Sequence, residues 1–168
     1  LQSKTAKKMA KIYEALEEVD EKGEPNPDME TVVEILTELR NDIENLKSYD
    51  RSVMWSSWAY VYMTEEKYEL AMDSYEKLIA EPEVTAPLRV SALLSLAQLY
   101  MVQNDFQKGI NLILQWMDEV ETVTAQSWGL LGLGYFQIDN FKKSMSSMET
   151  AIVMAEEEGY KPKENWYN

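Results

Sequence analysis

Trp128-Gly-Leu-Leu-Gly-Leu-Gly-Tyr135 mixes large and minimal side chains, and Trp128, Leu131, Gly132 and Tyr135 stand within it at helical steps. Six residues after Tyr135 comes Phe141, followed by Ser144, Met148 and Ala151. Steps of three and four place residues on one helical face, so the stretch reads as two helices. Asp139-Asn140 between them has the polar chemistry of a tight turn. Two hairpin helices approach closely only where a side chain is absent or small, and large neighbours fill the space above and below. Gly132 and Ser144 supply that small residue, one per helix.

The same spacing occurs twice upstream. Leu93, Leu96, Ala97 and Tyr100 precede Phe106, Gly109, Ile113 and Trp116, and Trp55, Trp58, Ala59 and Tyr62 precede Tyr68, Ala71, Tyr75 and Leu78. The small residues Ala59, Ala97 and Gly132 stand 38 and 35 residues apart, the extra residues falling in connecting turns. Thr64–Lys67 and Gln103–Asp105 read as hairpin turns, and Glu81–Pro87, with a proline near each end, separates the first pair from the second. These residues resemble the tetratricopeptide-repeat (TPR) family, whose signature is Trp-x2-Leu-Gly-x2-Tyr at a period of about 34 residues. The resemblance implies an all-α fold of antiparallel helix pairs wound into a right-handed superhelix, an α-solenoid.

On this reading the repeats occupy 52–89, 90–124 and 125–162. Residues 1–50 form a degenerate TPR-like pair or N-terminal cap: residues 3–22 are helical by period, with Met9, Ile12, Leu16 and Val19 on one face, and Gly23–Pro27 breaks the chain before a helix from about Asp28 carrying Met29, Val32, Leu36 and Leu39. Gly159–Pro162 stops the last helix. Residues 163–168 then start a further repeat, with Trp166 placed 38 residues after Trp128. The chain is expected to continue beyond Asn168, and the start at Leu1 is expected to be a processed or trimmed one.

The 168 residues are 45% hydrophobic and 27% charged, the composition of a soluble domain, and the longest apolar run, Trp128 to Phe136, is far short of a membrane span. A net charge of −14 repels phosphate backbones and anionic headgroups, which argues against nucleic acid and membrane insertion. There is no cysteine and no histidine, so disulfides, thiolate nucleophiles, catalytic triads and zinc sites lose their usual members. The glycines at 129, 132 and 134 lack the G-x-G-x-x-G order of a phosphate cradle, and no segment has the spacing of a calcium loop. We therefore expect no catalytic residue, no cofactor and no metal, and not an enzyme. Most tryptophans and tyrosines are already used as repeat packing.

The TPR resemblance also implies where a partner binds, because in that family exposed positions of each first helix line the concave face. Those positions are Val53, Ser56, Tyr60 and Met63; Ser91, Leu94, Gln98 and Met101; and Gln126, Gly129, Leu133, Phe136 and Gln137. The Lys, Arg and Asn clamp with which some TPR co-chaperones grip terminal carboxylates is missing there. What is left suits a protein-interaction module or assembly scaffold whose groove takes an apolar or amide-presenting peptide or helix. Its alternative is a structural, self-associating repeat protein. The segments Leu46–Trp55, Pro82–Thr85, Leu93–Leu99 and Lys161–Tyr167, with the repeat aromatics, look like a bacterial TPR protein encoded beside TonB–ExbB–ExbD energy-transduction genes. That resemblance implies a periplasmic protein; a cytoplasmic one is the alternative.

Overall fold

The structure, a computed structural model, describes residues 2–167. Leu1 and Asn168, where the sequence suggests a trimmed start and an interrupted repeat, lie outside the described residues. Eight α-helices are present among the described residues, and the extended pairing there is one isolated bridge, Val19 with Pro25. The chain forms two compact units, Leu1–Ala92 and Leu93–Asn168.

The first unit holds α1 (Ser3–Leu16), α2 (Met29–Asn41), α3 (Ser48–Thr64), α4 (Tyr68–Ala80) and the start of α5 (Ala86–Val102). Met9 and Ile12 of α1, Val32, Leu36 and Leu39 of α2, and Met54, Trp58 and Val61 of α3 are buried in one core with Leu78 of α4. Each such side chain removed from water contributes about 1.5–3 kcal/mol. Surface ion pairs tie α1 to α2: Lys4 to Asp42 at 2.8 Å and Lys8 to Glu38 at 2.7 Å. Arg40 stacks over the Trp58 ring at 4.4 Å and donates to the Tyr62 hydroxyl at 3.2 Å, which joins α2 to α3. At the open end of the α3–α4 hairpin, the Arg51 guanidinium holds Glu81 through two bonds, 2.8 and 2.9 Å, and donates a third, 2.7 Å, to the Leu46 carbonyl. Bidentate, half-buried geometry places this pair above the ~0–1 kcal/mol of an exposed bridge.

The first helix is shorter than its periodicity suggests. It ends at Leu16 rather than residue 22, and Val19, expected on its buried face, is 59% exposed. The Asp20 carboxylate accepts from the amides of Lys22 and Glu24, and Gly23 turns the chain at a φ of 81°. A side chain that captures nearby amides offers the backbone an alternative to the helical ladder, and a helical period carried by Val19 alone cannot outbid it. Asp28 then caps α2, accepting from the Thr31 amide at 3.0 Å.

The second unit holds the rest of α5, then α6 (Phe106–Glu119), α7 (Ala125–Gln137), α8 (Phe141–Glu157) and a 3-10 turn, Glu164–Trp166. Its core combines Ala97 and Met101 of α5, Ile110 and Ile113 of α6, and Leu131 and Tyr135 of α7. Gly109 lets α5 and α6 close together, since a Cβ there would lie 2.6 Å from Met101 Sδ and 3.3 Å from the Ala97 carbonyl oxygen. Ala59, Ala71 and Ala97, small positions of the packing code, are fully buried.

Three hairpin turns share one geometry. Glu66, Asn104 and Asp139 have φ of 58°, 63° and 59°. The amide after each reaches back to the carbonyl of the repeat tyrosine: Lys67 to Tyr62 at 2.8 Å, Asp105 to Tyr100 at 2.9 Å, Asn140 to Tyr135 at 2.8 Å. These are Schellman closures, in which a left-handed residue satisfies the last helical carbonyls.

Candidate functional site

The α7–α8 hairpin of the second unit builds a sizeable hollow. Thr124 caps α7, its hydroxyl accepting from the Ser127 amide at 3.2 Å, and the closure at Asp139 aims α8 back along α7. The Ser144 hydroxyl donates to the Gly132 carbonyl at 2.8 Å, so the small position of α8 also bonds the backbone of α7. A Cβ on Gly132 would lie 2.9 Å from Met148 Cγ. This close contact sets Phe136, near the end of α7, against Phe141, at the start of α8, edge to face at 5.6 Å.

Beyond these rings opens a cavity of about 1040 Å³. Leu133 and Phe136 form its α7 side, and Phe141, Met145, Met148 and Ile152 its α8 side. The C-terminal 3-10 turn closes one flank with Asn165, Trp166 and Tyr167. Trp166 is 6% exposed and packs with Ala125, Met148, Ala151 and Ala155. Its indole covers Gly129, where a Cβ would meet ring atoms Cε2 at 2.5 Å and Cζ2 at 2.8 Å.

The residues expected to line a groove fare differently. Leu133 and Phe136 come together in this hollow. Gln137, next to Phe136, and Gln98 are exposed, and Leu94 is half-buried, but none of the three lines it. Tyr60, exposed, and Met63, half-buried, lie on α3 in the first unit. Met101 is corrected outright: at 9% exposure it is a core residue, its thioether filling the space left by Gly109 and by Gly134, whose Cβ would lie 2.7 Å from Met101 Cε. Gly129 is likewise covered rather than open.

Sequence reasoning missed the α8 side because it assigned partner contact to first helices alone. Its signal was present: Phe141, Met145, Met148 and Ile152 follow at steps of four, three and four, an apolar stripe beside the small-residue stripe of Ser144, Ala151 and Ala155. A second hollow, of about 490 Å³, lies in the first unit beside Arg51, Trp55, Lys77 and Glu81. Its cations are engaged, Arg51 with Glu81 and Lys77 with Asp73 at 2.6 Å. Among the described residues no three acidic side chains come together as a metal site, and no helix is long and apolar enough to cross a membrane.

Residues 45–81, the α3–α4 hairpin with its flanking turns, match the tetratricopeptide-repeat family model. Two solved structures are similar over longer stretches. The apo form of RapI superposes with a TM-score of 0.65 at 13% identity, over 94% of this chain and 56% of that one. The crystal structure of MamA protein gives 0.54 at 20% identity, over 62% of this chain and 55% of that one. The chain thus spans just over half the length of each, and at these identities the likeness is one of fold. No curated protein matches the chain. The all-helical chain has the fold of the TPR-like α-solenoids, and residues 45–81 carry the match to the repeat family itself.

Proposed function

We propose that the chain is a protein-interaction scaffold, not an enzyme, and that the hollow on α7 and α8 receives an apolar or amide-presenting helix or peptide. The observation that carries this is the grouping of Phe136, Phe141 and Met145, which are 51%, 56% and 61% exposed, around one concavity. A large contiguous apolar patch on a soluble surface marks an interaction site. Asn165 on the rim offers an amide to a peptide backbone. The repeat match and the α-solenoid fold support the same reading. Replacing Phe136 and Met145 together by Ser should leave far-UV helicity unchanged and reduce partner capture by about tenfold or more, as loss of two central anchors does. Undiminished capture by that variant removes the hollow from the proposal.

The same exposed rings favour a second reading, in which another copy of the chain covers them. Light scattering across about a hundredfold dilution separates the two, since a monomer throughout leaves self-association unsupported. We further propose a periplasmic location beside a TonB-type energy-transduction system, supported by the segments Leu46–Trp55 and Lys161–Tyr167 quoted above. Cross-linking in intact cells, followed by identification of the attached protein, tests it; attachment to cytoplasmic proteins alone overturns it.

A further inference from the structure

The hollow is apolar within but acidic at its edge. Of the residues lining it, the charged ones are Glu149 on α8 and Glu164 on the C-terminal turn, and both are carboxylates. Glu164 has an interaction of its own, so the rim charge open to a partner is that of Glu149, and Lys143, in the first turn of α8, does not line the hollow. The whole chain adds a net charge of −14. An anionic partner would meet like charge at both distances, over the long-range field and again at the rim.

Size and plasticity narrow the occupant further. One turn of α-helix, ~5.4 Å long and ~10–12 Å across, sweeps roughly 500 Å³. The hollow, of about 1040 Å³, is comparable in volume to about two such turns. Met145 is unbranched, polarisable and exposed, and adapts to whichever apolar side chains arrive, while Met148 is held in the packing beneath it. An apolar floor with an adaptable thioether and a carboxylate rim is complementary to a helix with one apolar face and cations flanking it.

We infer that the occupant is a cationic amphipathic helix, its apolar face seated on Phe136, Phe141 and Met145 and its Lys or Arg side chains beside Glu149. The inference rests on the proposed binding role of the hollow and adds the chemistry of the partner. The Glu149 contact is solvent-facing, so it contributes selectivity and association rate while the apolar floor contributes most of the affinity.

The test uses the full chain and two labelled peptides of equal length, one an amphipathic Leu/Lys helix and the other its Leu/Gln counterpart, titrated by fluorescence anisotropy. At low salt the Leu/Lys peptide should bind about tenfold tighter, and its advantage should shrink as ionic strength rises to about 0.3 M. Glu149→Lys should weaken Leu/Lys binding about fivefold and leave Leu/Gln binding unchanged. Glu18→Lys, the same change of net charge on the first unit, should alter it less than about twofold. Phe136→Ser should weaken binding of both peptides by a similar factor, about fivefold or more. Equal affinity for the two peptides, or a Glu149→Lys effect no larger than that of Glu18→Lys, overturns the cationic partner and leaves the hollow as a binding site. Binding of neither peptide overturns the binding role itself, and a dimer that dissociates on Phe136→Ser assigns the hollow to a second copy and overturns the inference too.

Discussion

A Cβ added at Gly129 would lie 2.5 Å from Cε2 of Trp166, and an indole is a rigid plate that cannot fold out of the way. At Gly109 the nearest atoms are Sδ and Cγ of Met101, at 2.6 and 2.8 Å, part of a chain with three rotatable bonds. Gly→Ala inside a helix returns about 0.5–1 kcal/mol of backbone entropy, which can offset a thioether's movement but not the ~1–3 kcal/mol of forced overpacking. Gly109→Ala is therefore expected to be destabilising but by less than Gly129→Ala in thermal unfolding, because the Met101 thioether can shift part of the way while the Ala97 carbonyl oxygen at 3.3 Å cannot. Gly129→Ala should lose about 1–3 kcal/mol at the seat of the C-terminal turn. Hydrogen exchange reads this directly: uptake at 163–167 should rise in Gly129→Ala while α1 to α4 stay unchanged, and an unaltered turn would mean that Trp166 is not held by that contact.

Among the elements, α1 depends most on solution conditions, because its surface links to α2 are ionic. A hydrogen bond from Lys8 holds the Glu38 carboxyl below its ordinary range, and one from Lys4, joined by Asn45, does the same for Asp42. The Thr31 side chain and amide likewise lower Asp28 at the α2 cap. A carboxyl lowered in the folded state stabilises above its unfolded pKa, and that contribution disappears as pH falls through the folded one. The α1–α2 pair should accordingly loosen first on acidification below about pH 4. Asp42→Asn should flatten that dependence in thermal melts taken between neutral and acidic pH. Elements built on apolar periodicity and small–large pairing were legible in the sequence, as α3 to α8 show through Ala59, Gly109 and Gly132. The true end of α1 was not, because the turn at Asp20 is a local side-chain bond that outweighs a periodic residue. Leu133 and Phe136 were legible as residues on the open side of α7. The burial of Met101 was not, since it depends on glycines at 109 and 134 being brought together by folding. The left-handed Glu66 also escaped notice, because neither glycine nor asparagine marks that turn.

For the whole molecule, charge is the dominant variable. The excess of acidic residues, thirty against sixteen basic ones, is self-repelling in any compact state, and the ion pairs seen among the described residues are mostly exposed. Screening should therefore stabilise the chain. Raising salt to about 0.3 M is expected to increase the melting temperature by about 2–4 °C, equivalent to about 1 kcal/mol. A fall instead would mean that attraction within pairs such as Arg51–Glu81 outweighs the repulsion. The Phe–Met hollow has a separate consequence, set by sulfur chemistry. Met145 is open to solvent while Met9, Met54, Met72 and Met101 are buried, so peroxide should reach Met145 well before those four. Its sulfoxide is polar and would stand on the apolar floor, dulling the surface while leaving the scaffold folded. Peptide mass mapping of a mildly oxidised sample would show whether Met145 is converted ahead of the other methionines, the half-buried Met29, Met63, Met117 and Met154 included, which would make this face the molecule's first point of oxidative ageing.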